Sequence, residues 1–408
     1  MTKKSTKASS SSRSPFAAII AVLIIGLAAL VFSLTGTDFL GIFPAGTLTP
    51  SVTPSPPPTS IQITTTPGLV STLEVGQGYG AQKSPWEVYF TAPSGSSTRS
   101  TYVGGISENL ASAIDQVQST LDIAAFEMNN KAITAAILRA HDRGVAIRVV
   151  TDNEHGIEDD ETTLIDLEDV GIKIVDDKRS ALMHNKFMIM DGQTVWLGSM
   201  NYTENGTYRN NNHMIKISGS PELVAAYQAE FNGMFLNNVF GPKKPSVNGT
   251  SFAVDGISGE VWFAPQDSVM QAVIDAVNSA QTSIRFMVFV MSDDDLATAI
   301  KGRHNAGVDV KGIYENRNST AVWSTMTDLL CAKIDVRQDT NPYTLHHKVI
   351  IIDNQIVVTG SFNFSANAAK VNDENLLMIN DPDLAAQFIA EFDRLYLTSR
   401  VPEGISCK

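Results

Sequence analysis

The chain has 408 residues, 43% of them apolar and 18% charged, which excludes an intrinsically disordered protein and allows two domains of ordinary size. Its formal net charge is −13, from 30 Lys and Arg against 43 Asp and Glu. Nucleic-acid binders usually present a basic face, so this charge disfavours DNA or RNA as a partner, although an acidic protein can still hold a local basic groove.

The N-terminus predicts a membrane anchor followed by a spacer. Basic residues precede an uncharged apolar run over 16–34, long enough to cross a bilayer core of about 30 Å as a helix. The basic flank places residues 1–15 in the cytoplasm and the body outside, as a single-pass membrane protein. A cleaved signal peptide is the alternative, although its apolar core is usually only about 7–15 residues. Residues 35–84, rich in Pro, Thr and Ser, predict an extended linker.

Residues 85–240 predict the first of two α/β units. Strands alternate with helices in it, and their predicted bounds are 87–93, 110–119, 121–126, 132–141 and 145–150. The second helix is followed by Gly144, the residue type that commonly ends helices. This alternation is typical of βαβ crossovers and predicts a mixed, mainly parallel sheet flanked by helices.

A motif of polar residues follows in the same unit. Its members are His184, Lys186, Asp191, Gly198, Ser199 and Asn201. The apolar runs 187–190 and 194–197 predict two buried strands joined by a turn. Because alternate residues of a strand share a face, we expect the His and Lys side chains to point into one pocket.

Residues 241–259 predict a linker, and residues 260–400 repeat the first unit. The returning strands and helices have predicted bounds 260–265, 269–280, 283–289, 295–304 and 308–313. The second motif comprises His346, Lys348, Asp353, Gly360, Ser361 and Asn363. Its internal spacing equals that of the first motif, and the two motif histidines are 162 positions apart, from 184 to 346. We therefore predict two α/β sandwich units packed about a pseudo-twofold axis, with both motifs in one central cleft.

The duplicated motif has the composition of a phosphodiester-cleaving site. A lone His or Lys on a strand is usually structural, but two copies that keep the same His, Lys and Asn favour catalysis. The glycines would let the backbone approach a phosphate, and the serines would add neutral donors. Asp191 and Asp353 are predicted to be turn residues that support the motifs. No cluster of Cys, His or carboxylates accompanies either motif, so no metal and no other cofactor is predicted.

The motif pair resembles the phospholipase D superfamily over roughly residues 85–400. That resemblance implies that His184 is a nucleophile forming a phosphohistidine and that His346 is the general acid. It also implies an acidic partner for a catalytic imidazole at Glu374, although the sequence leaves open which histidine it contacts. The corresponding position in the first copy is Asn212.

Three further features lie near or beyond the motifs. His347 faces away from the expected pocket and His213 follows Asn212, so both are predicted to be structural. Residues 401–408 predict a C-terminal tail. The two cysteines, Cys331 and Cys407, would pair in an exported protein, but two free thiols fit the sequence equally well.

The leading functional hypothesis is a membrane-anchored, monomeric phospholipase D-type phosphodiesterase that hydrolyses a glycerophospholipid to phosphatidic acid and a head-group alcohol. Its expected partners are a phospholipid substrate and the membrane reached through the N-terminal helix. The alternatives are a nuclease of the same superfamily, a cardiolipin-synthase-like phosphatidyltransferase, and a catalytically silent binding module.

Overall fold

The computed structural model describes residues 68–407, which form two mixed sheets flanked by helices. The first sheet and its connections contain β1 Ser71–Leu73, β2 Gly78–Lys83, β3 Trp86–Thr91, α1 Ile106–Asp115, β4 Thr120–Ala125, α2 Lys131–Asp142, β5 Ala146–Thr151, α3 Leu164–Asp169, β6 Lys173–Asp176, β7 Lys186–Met190, β8 Thr194–Gly198, α4 Glu204–Tyr208, β9 Asn210–Asn211, β10 His213–Ser218 and α5 Pro221–Phe235. A π-helical turn spans Asn153–Ile157, and short 3-10 turns span Arg99–Thr101 and Gly241–Lys243.

The second unit repeats most of this order. The second sheet and its connections contain β11 Thr250–Val254, β12 Ile257–Ala264, α6 Val269–Ser279, β13 Ser283–Val288, α7 Asp294–Asn305, β14 Asp309–Tyr314, α8 Met326–Cys331, β15 Asp335–Gln338, β16 Thr344–Leu345, β17 Lys348–Ile352, β18 Ile356–Gly360, α9 Ala366–Lys370, β19 Glu374–Asn380 and α10 Pro382–Thr398. The predicted fold class, two mixed α/β units flanked by helices, is confirmed.

Mainly parallel sheets were predicted, and this part of the prediction is wrong, because most strands pair antiparallel. The strand orders are β1-β2-β3-β10-β8-β7-β4-β5-β6 and β11-β12-β19-β18-β17-β13-β14-β15. Within these two sheets, the described parallel pairs are β4-β5-β6 and β13-β14-β15, where helical crossovers connect the strands. The short strands β9 and β16 pair parallel in a separate two-stranded sheet that joins the two units. The motif hairpins and the strands that return beside them pair antiparallel, and they outnumber the crossover strands.

Local signals explain where the helices on the sheets begin and end. The Asn130 side chain caps α2 by accepting hydrogen bonds from the backbone N–H groups of Ala132 and Ile133, and Asp293 caps α7 by accepting one from Leu296. Both helices are followed by a glycine at positive φ, Gly144 or Gly307, as predicted. These matching ends place the strands that follow each helix in equivalent positions.

The two units share one hydrophobic core. Apolar side chains of the motif hairpins, such as Phe187 and Ile189 in the first unit and Val349 and Ile351 in the second, belong to a single buried cluster together with side chains of α5 and α10. Two further clusters lie in the two units, and each includes side chains of that unit's first two helices. Because the shared core contains both hairpins, burial of apolar surface fixes the two motifs together.

Two segments predicted as linkers contain strands. β1 and β2 lie within 35–84 and extend the first sheet, while β11 lies within 241–259 and forms the edge of the second sheet. These strands are short and pair through antiparallel hairpins, so they lack the long apolar runs that mark central strands. The unit boundaries 85–240 and 260–400 remain predictions.

The sulfur atoms of Cys331 and Cys407 are bonded, with 5.5 Å between the Cα atoms. This decides the alternative that the sequence left open, and the bond ties the C-terminal tail to the end of α8.

The predicted localisation as a single-pass membrane protein is contradicted. Within residues 68–407 no helix has the length and apolar character needed to cross a bilayer. The segment 16–34, on which that prediction depended, lies outside the described residues, as do residues 1–15 and most of the predicted spacer.

Candidate active site

Each motif histidine lies two positions before a central strand. Alternate side chains of that strand are buried in the shared core. His184 lies before β7 and His346 before β17, and the lysines begin those strands. Both imidazoles are nearly buried, with exposed fractions of 6% and 8%, and Lys186 is fully buried. The structure therefore places both His–Lys pairs where water is largely excluded.

The two lysines are held identically. Lys186 Nζ donates a hydrogen bond to the backbone oxygen of His184 at 2.7 Å, and Lys348 Nζ donates to that of His346 at 2.9 Å. Each ammonium lies 4.8 Å from the centre of an aromatic ring, Phe126 for Lys186 and Phe289 for Lys348. An ammonium has three donors, so each lysine keeps hydrogen-bonding capacity for a substrate oxygen.

The two half-sites are joined by backbone pairing across the pseudo-twofold axis. The N–H of His184 donates to the oxygen of Asp373 at 2.9 Å, and the N–H of His346 donates to the oxygen of Asn211 at 2.9 Å. The residue that follows each acceptor is therefore brought beside the imidazole of the opposite unit.

The residues that follow the two backbone acceptors are Glu374 and Asn212, and their side chains contact the imidazoles. Glu374 Oε2 lies 2.7 Å from Nδ1 of His184, and Asn212 Oδ1 lies 2.9 Å from Nδ1 of His346. Glu374 thus reaches across to the first unit, which answers the question that the sequence left open. One imidazole has a carboxylate behind it and the other an amide, and in both cases Nε2 remains for chemistry.

Burial dominates the electrostatics of the first half-site. It raises the pKa of Glu374 to about 7 and lowers the pKa of Lys186 to about 8. Burial, followed by the charges of Lys186 and Lys348, holds the pKa of His184 well below its usual range. Since Lys348 belongs to the second motif, the two half-sites influence each other's protonation.

The second half-site follows the same rule. Burial, followed by the charges of Lys348 and Lys186, holds the pKa of His346 well below its usual range, and His184 adds to the effect. Burial also holds the pKa of Lys348 well below its usual range, with the charge of Lys186 lowering it further. A negatively charged ligand between the two lysines would relieve this repulsion and favour their charged forms.

The serines have a different role from the predicted one. Ser361 Oγ donates to Glu374 Oε2 at 2.6 Å, and Ser199 Oγ donates to Asn212 Oδ1 at 2.9 Å. Both serines are fully buried. Their hydroxyls therefore orient the partners of the imidazoles and are not available as phosphate donors.

The motif glycines lie where neighbouring strands of each sheet approach closely. A Cβ at Gly198 would lie 2.3 Å from the backbone oxygen of His213, and one at Gly360 would lie 2.3 Å from that of Asn375. Glycine is needed there because β8 and β18 approach β10 and β19 closely, and not because the backbone approaches a phosphate.

Asp191 and Asp353 lie at the turns of the two motif hairpins, where backbone N–H groups hold their carboxylates. Asp191 accepts hydrogen bonds from the backbone N–H groups of Gln118, Ser119 and Thr120, and Asp353 accepts the equivalent set from residues 281–283. Burial opposes ionisation of Asp191, but these donors outweigh it and lower the pKa of the carboxyl. Each Asp thus fixes its hairpin to the start of the neighbouring strand.

The two motif asparagines differ in their surroundings. Asn201 Nδ2 donates to Glu127 Oε2 at 2.8 Å, whereas the second unit has Val290 at the position of Glu127. Burial raises the pKa of Glu127. Among residues 68–407, the buried side-chain atoms without a hydrogen-bond partner include Oδ1 of Asn201 and of Asn363. Glu127 was missed by the sequence reasoning because its counterpart is apolar.

Comparison with known proteins finds one family model that matches both units, and curated relatives that match part of the chain. A family model described as "Cardiolipin synthase, PLD-like domain" matches residues 110–235 and 273–396. The mitochondrial cardiolipin hydrolase of Chlamydomonas reinhardtii is 35% identical over 123 residues, which are 30% of this chain and 55% of that protein. The phospholipase D of Rickettsia typhi is 38% identical over 127 residues, which are 31% of this chain and 62% of that protein. The chain thus spans between half and two thirds of these relatives.

One solved structure matches most of the chain. The crystal structure of phosphatidylserine synthase from Haemophilus influenzae Rd KW20 superimposes with a TM-score of 0.58 and 16% identity, covering 74% of this chain and 87% of that one. At this identity the match supports the fold alone.

Proposed function

The chain belongs to the phospholipase D superfamily, and from that premise we propose that it is a phosphodiesterase that hydrolyses a glycerophospholipid to phosphatidic acid and a head-group alcohol. The observation that carries this proposal is the meeting of two buried His–Lys pairs, each completed by a residue from the opposite unit. A phospholipid is favoured as substrate because the relatives named above are a phospholipase D and a cardiolipin hydrolase. The net charge of −13 also disfavours nucleic acid.

In the first step, His184 Nε2 attacks phosphorus and forms an N–P bond while the P–O bond to the head-group alcohol breaks. His346 donates its Nε2 proton to the departing oxygen. The negative phosphodiester favours the imidazolium form of His346 that this step needs, because it opposes the charges of Lys186 and Lys348.

In the second step, His346 accepts a proton from water, whose oxygen attacks phosphorus as the N–P bond breaks. His184 is thereby released and phosphatidic acid is formed. The two lysines and the amide of Asn363 stabilise charge on the non-bridging oxygens in both steps. Asn201 has the same role in the first unit, although its amide is shared with Glu127.

The assignment of His184 as nucleophile follows from its partner. A carboxylate at Nδ1 stabilises the positive charge that the imidazole acquires when its Nε2 bonds to phosphorus, whereas an amide offers only a neutral acceptor. The neutral partner of His346 suits a group that must give up its proton readily.

The test is a set of parallel assays on the purified full chain in EDTA. Phosphatidylcholine and cardiolipin vesicles, plasmid DNA and bis-p-nitrophenyl phosphate are offered separately, and products are identified by mass. We expect phosphatidic acid from at least one lipid. Cleaved plasmid with intact lipids would assign a nuclease instead, and phosphatidylethanol in the presence of ethanol would show transfer to an alcohol. Failure to cleave any of them would overturn the proposal.

Glu374→Gln is expected to lower kcat by about 10²–10⁴-fold, because the amide cannot stabilise a positive imidazole. The pH dependence should change as well. Burial places the pKa of Glu374 at about 7, so in the wild type activity should fall as pH decreases through that value and the carboxylate takes up a proton. The variant should lack this acidic limb.

The pH–rate profile of hydrolysis measures both effects. Glu260→Gln, on an exposed position of β12, is the matched control and should leave the profile unchanged. An unaltered acidic limb in Glu374→Gln would show that another group titrates there.

A further inference from the structure

The hydrogen bond at Nδ1 of His346 depends on the side-chain amide of Asn212, whose two ends have opposite hydrogen-bonding roles. When Glu374 is ionised, it can accept a hydrogen bond from His184 but cannot donate one. The amide of Asn212 can present either its oxygen or its NH₂ group to His346. If the NH₂ group faced Nδ1, that nitrogen would have to give up its proton, and the imidazolium form of His346 would be disfavoured. Some part of the fold must therefore hold the amide oxygen towards His346.

Two contacts hold the amide directly. Asn212 Nδ2 donates to the backbone oxygen of Gly206 at 2.9 Å, and Asn212 Oδ1 accepts from Ser199 Oγ at 2.9 Å. The second contact works only if the proton of the Ser199 hydroxyl points to Asn212. That proton has one competing acceptor, because His213 Nδ1 lies 3.2 Å from the same oxygen.

A buried chain of side chains removes this competition. His213 Nδ1 lies 3.0 Å from His347 Nδ1, and His347 Nε2 lies 3.0 Å from Glu391 Oε1. At its other ring nitrogen, His213 Nε2 lies 2.7 Å from Thr359 Oγ1. All four side chains are buried, and the contact between the histidines joins the first unit to the second.

One arrangement of protons satisfies every link. The ionised Glu391 can only accept, so His347 carries its proton on Nε2 and presents a lone pair at Nδ1. His213 must then carry its proton on Nδ1 and accept from Thr359 at Nε2. Because Ser199 Oγ therefore faces an N–H group, its own proton goes to Asn212.

The surroundings favour these neutral forms. Burial lowers the pKa of His213; a charge on His347 would lower it further, and the charge of Lys348 does so. Burial also lowers the pKa of His347; Glu391 opposes this shift, while Arg394 and Lys348 add to it. Glu391 stays ionised because its hydrogen bonds and charges from His347 and Arg394 outweigh burial and lower its pKa.

We propose that His213, His347 and Glu391 are positioning residues for His346, which set the Ser199 hydroxyl and the Asn212 amide so that Nδ1 of His346 always carries a proton. This inference rests on the proposed function, in which His346 is the general acid and base. None of the three residues contacts the substrate. Their effect reaches His346 through Ser199 and Asn212.

The first unit supplies a matched replacement. At the positions of His347 and His213 it has Asn185 and Asn375, whose side chains are joined by a hydrogen bond of 2.9 Å from Asn375 Nδ2 to Asn185 Oδ1. Both asparagines are fully buried. In that pair Asn375 Nδ2 also faces Ser361 Oγ at 3.4 Å, so the double variant H213N/H347N keeps an N–H group on Ser199 Oγ and is a conservative replacement. Glu391→Gln is the disrupting change, because a neutral amide can donate to Nε2 of His347 as well as accept from it and no longer fixes the His347 proton there.

The experiment compares the wild-type full chain with Glu391→Gln by ¹⁵N NMR of labelled histidine and by the pH dependence of kcat and KM, with H213N/H347N as the conservative replacement. We expect His346 to be protonated at Nδ1 in the wild type and in H213N/H347N, and Glu391→Gln to show mixed tautomers. We also expect kcat of Glu391→Gln at neutral pH to fall about tenfold or more, a part of what a positioned general acid contributes, with KM little changed. The alkaline limb of the kcat profile should move to lower pH, because the imidazolium form is less favoured.

Adding Asn212→Asp to Glu391→Gln supplies the rescue. A carboxylate accepts from Nδ1 in either orientation, so the combined variant should regain the Nδ1–H tautomer and most of kcat. If Glu391→Gln fails to fold, His347→Asn gives the same test, because its amide can donate to Nδ1 of His213 as well as accept from it.

An unchanged His346 tautomer together with an unchanged pH profile in folded Glu391→Gln would overturn the inference. Loss of kcat that Asn212→Asp does not restore would also overturn it, since it would indicate a purely structural role. A wild-type protein that cleaves no phosphodiester would instead refute the proposed function, while the NMR comparison would still decide whether the chain positions His346.

Discussion

Replacement of either motif histidine by alanine is expected to reduce turnover of a phospholipid about 10³-fold or more while leaving the fold intact. His184 and His346 belong to different units but act on one phosphorus atom in the proposed mechanism, so neither can compensate for the other. Both side chains keep a small exposed fraction and lie outside the shared apolar core, so their removal leaves that core unchanged. Thermal unfolding of both variants should therefore resemble that of the wild type.

The two variants should differ with an activated substrate. Bis-p-nitrophenyl phosphate has a leaving group that needs no proton, so His346→Ala should still form the phosphohistidine at His184 and release about one p-nitrophenolate per chain before it stalls. His184→Ala should release none. A burst in His184→Ala and none in His346→Ala would reverse the assigned roles.

His304→Ala, on α7 and outside the site, is the matched control and should retain full activity. Retention of phospholipid hydrolysis by both single variants of the motif histidines would remove the two-histidine mechanism altogether.

The elements that the sequence predicted well are those with a strong local signal. The apolar runs predicted at 187–190 and 194–197 agree to within one residue with β7 and β8, because central strands are continuously apolar. The helix predicted at 132–141 is α2, Lys131–Asp142, whose cap and terminal glycine are visible in the sequence. The repeat spacing then carried these assignments from one unit to the other.

Several of the elements that were missed follow the motifs. β10 and β19 each lie between the motif hairpin and the outer strands, and their antiparallel pairing is the reason why the sheets are not mainly parallel. The long helices α5 and α10 close the shared core. Ser220-Pro221 and Asp381-Pro382 are cap signals that could have found both helices.

The residues of the site could be predicted from the sequence, but the hydrogen bonds between residues of different units could not. Spacing identifies His184, Lys186, His346 and Lys348, since the pattern is repeated. It does not show that Glu374 contacts the histidine of the other unit, because that pairing depends on how the two sheets pack. The contact between His213 and His347 is likewise invisible, as both residues merely adjoin better candidates.

Asp373→Asn is expected to destabilise the protein by about 3–5 kcal/mol, the cost of removing one partner from a buried group of charges. Asp373 is fully buried, and its carboxylate accepts hydrogen bonds from Arg179, from the backbone N–H of Gly241 at 2.7 Å and from Lys244 Nζ at 2.6 Å. Lys244 is itself buried and shares its charge with Glu230. A neutral amide would leave the buried Lys244 and the partly exposed Arg179 with one carboxylate fewer.

The same substitution should also impair the site. The backbone oxygen of Asp373 accepts from the N–H of His184, and the next residue is Glu374, so loosening this segment moves the carboxylate away from Nδ1 of His184. Urea unfolding measures the stability, and phosphodiester turnover of the folded fraction measures the site. Asp328→Asn removes the partner of Lys301 in an exposed pair, and as the control it should cost no more than about 1 kcal/mol. Equal unfolding free energies for the two variants would contradict this prediction. They would mean that the contacts of the Asp373 carboxylate with Gly241 and Lys244 do not stabilise the protein.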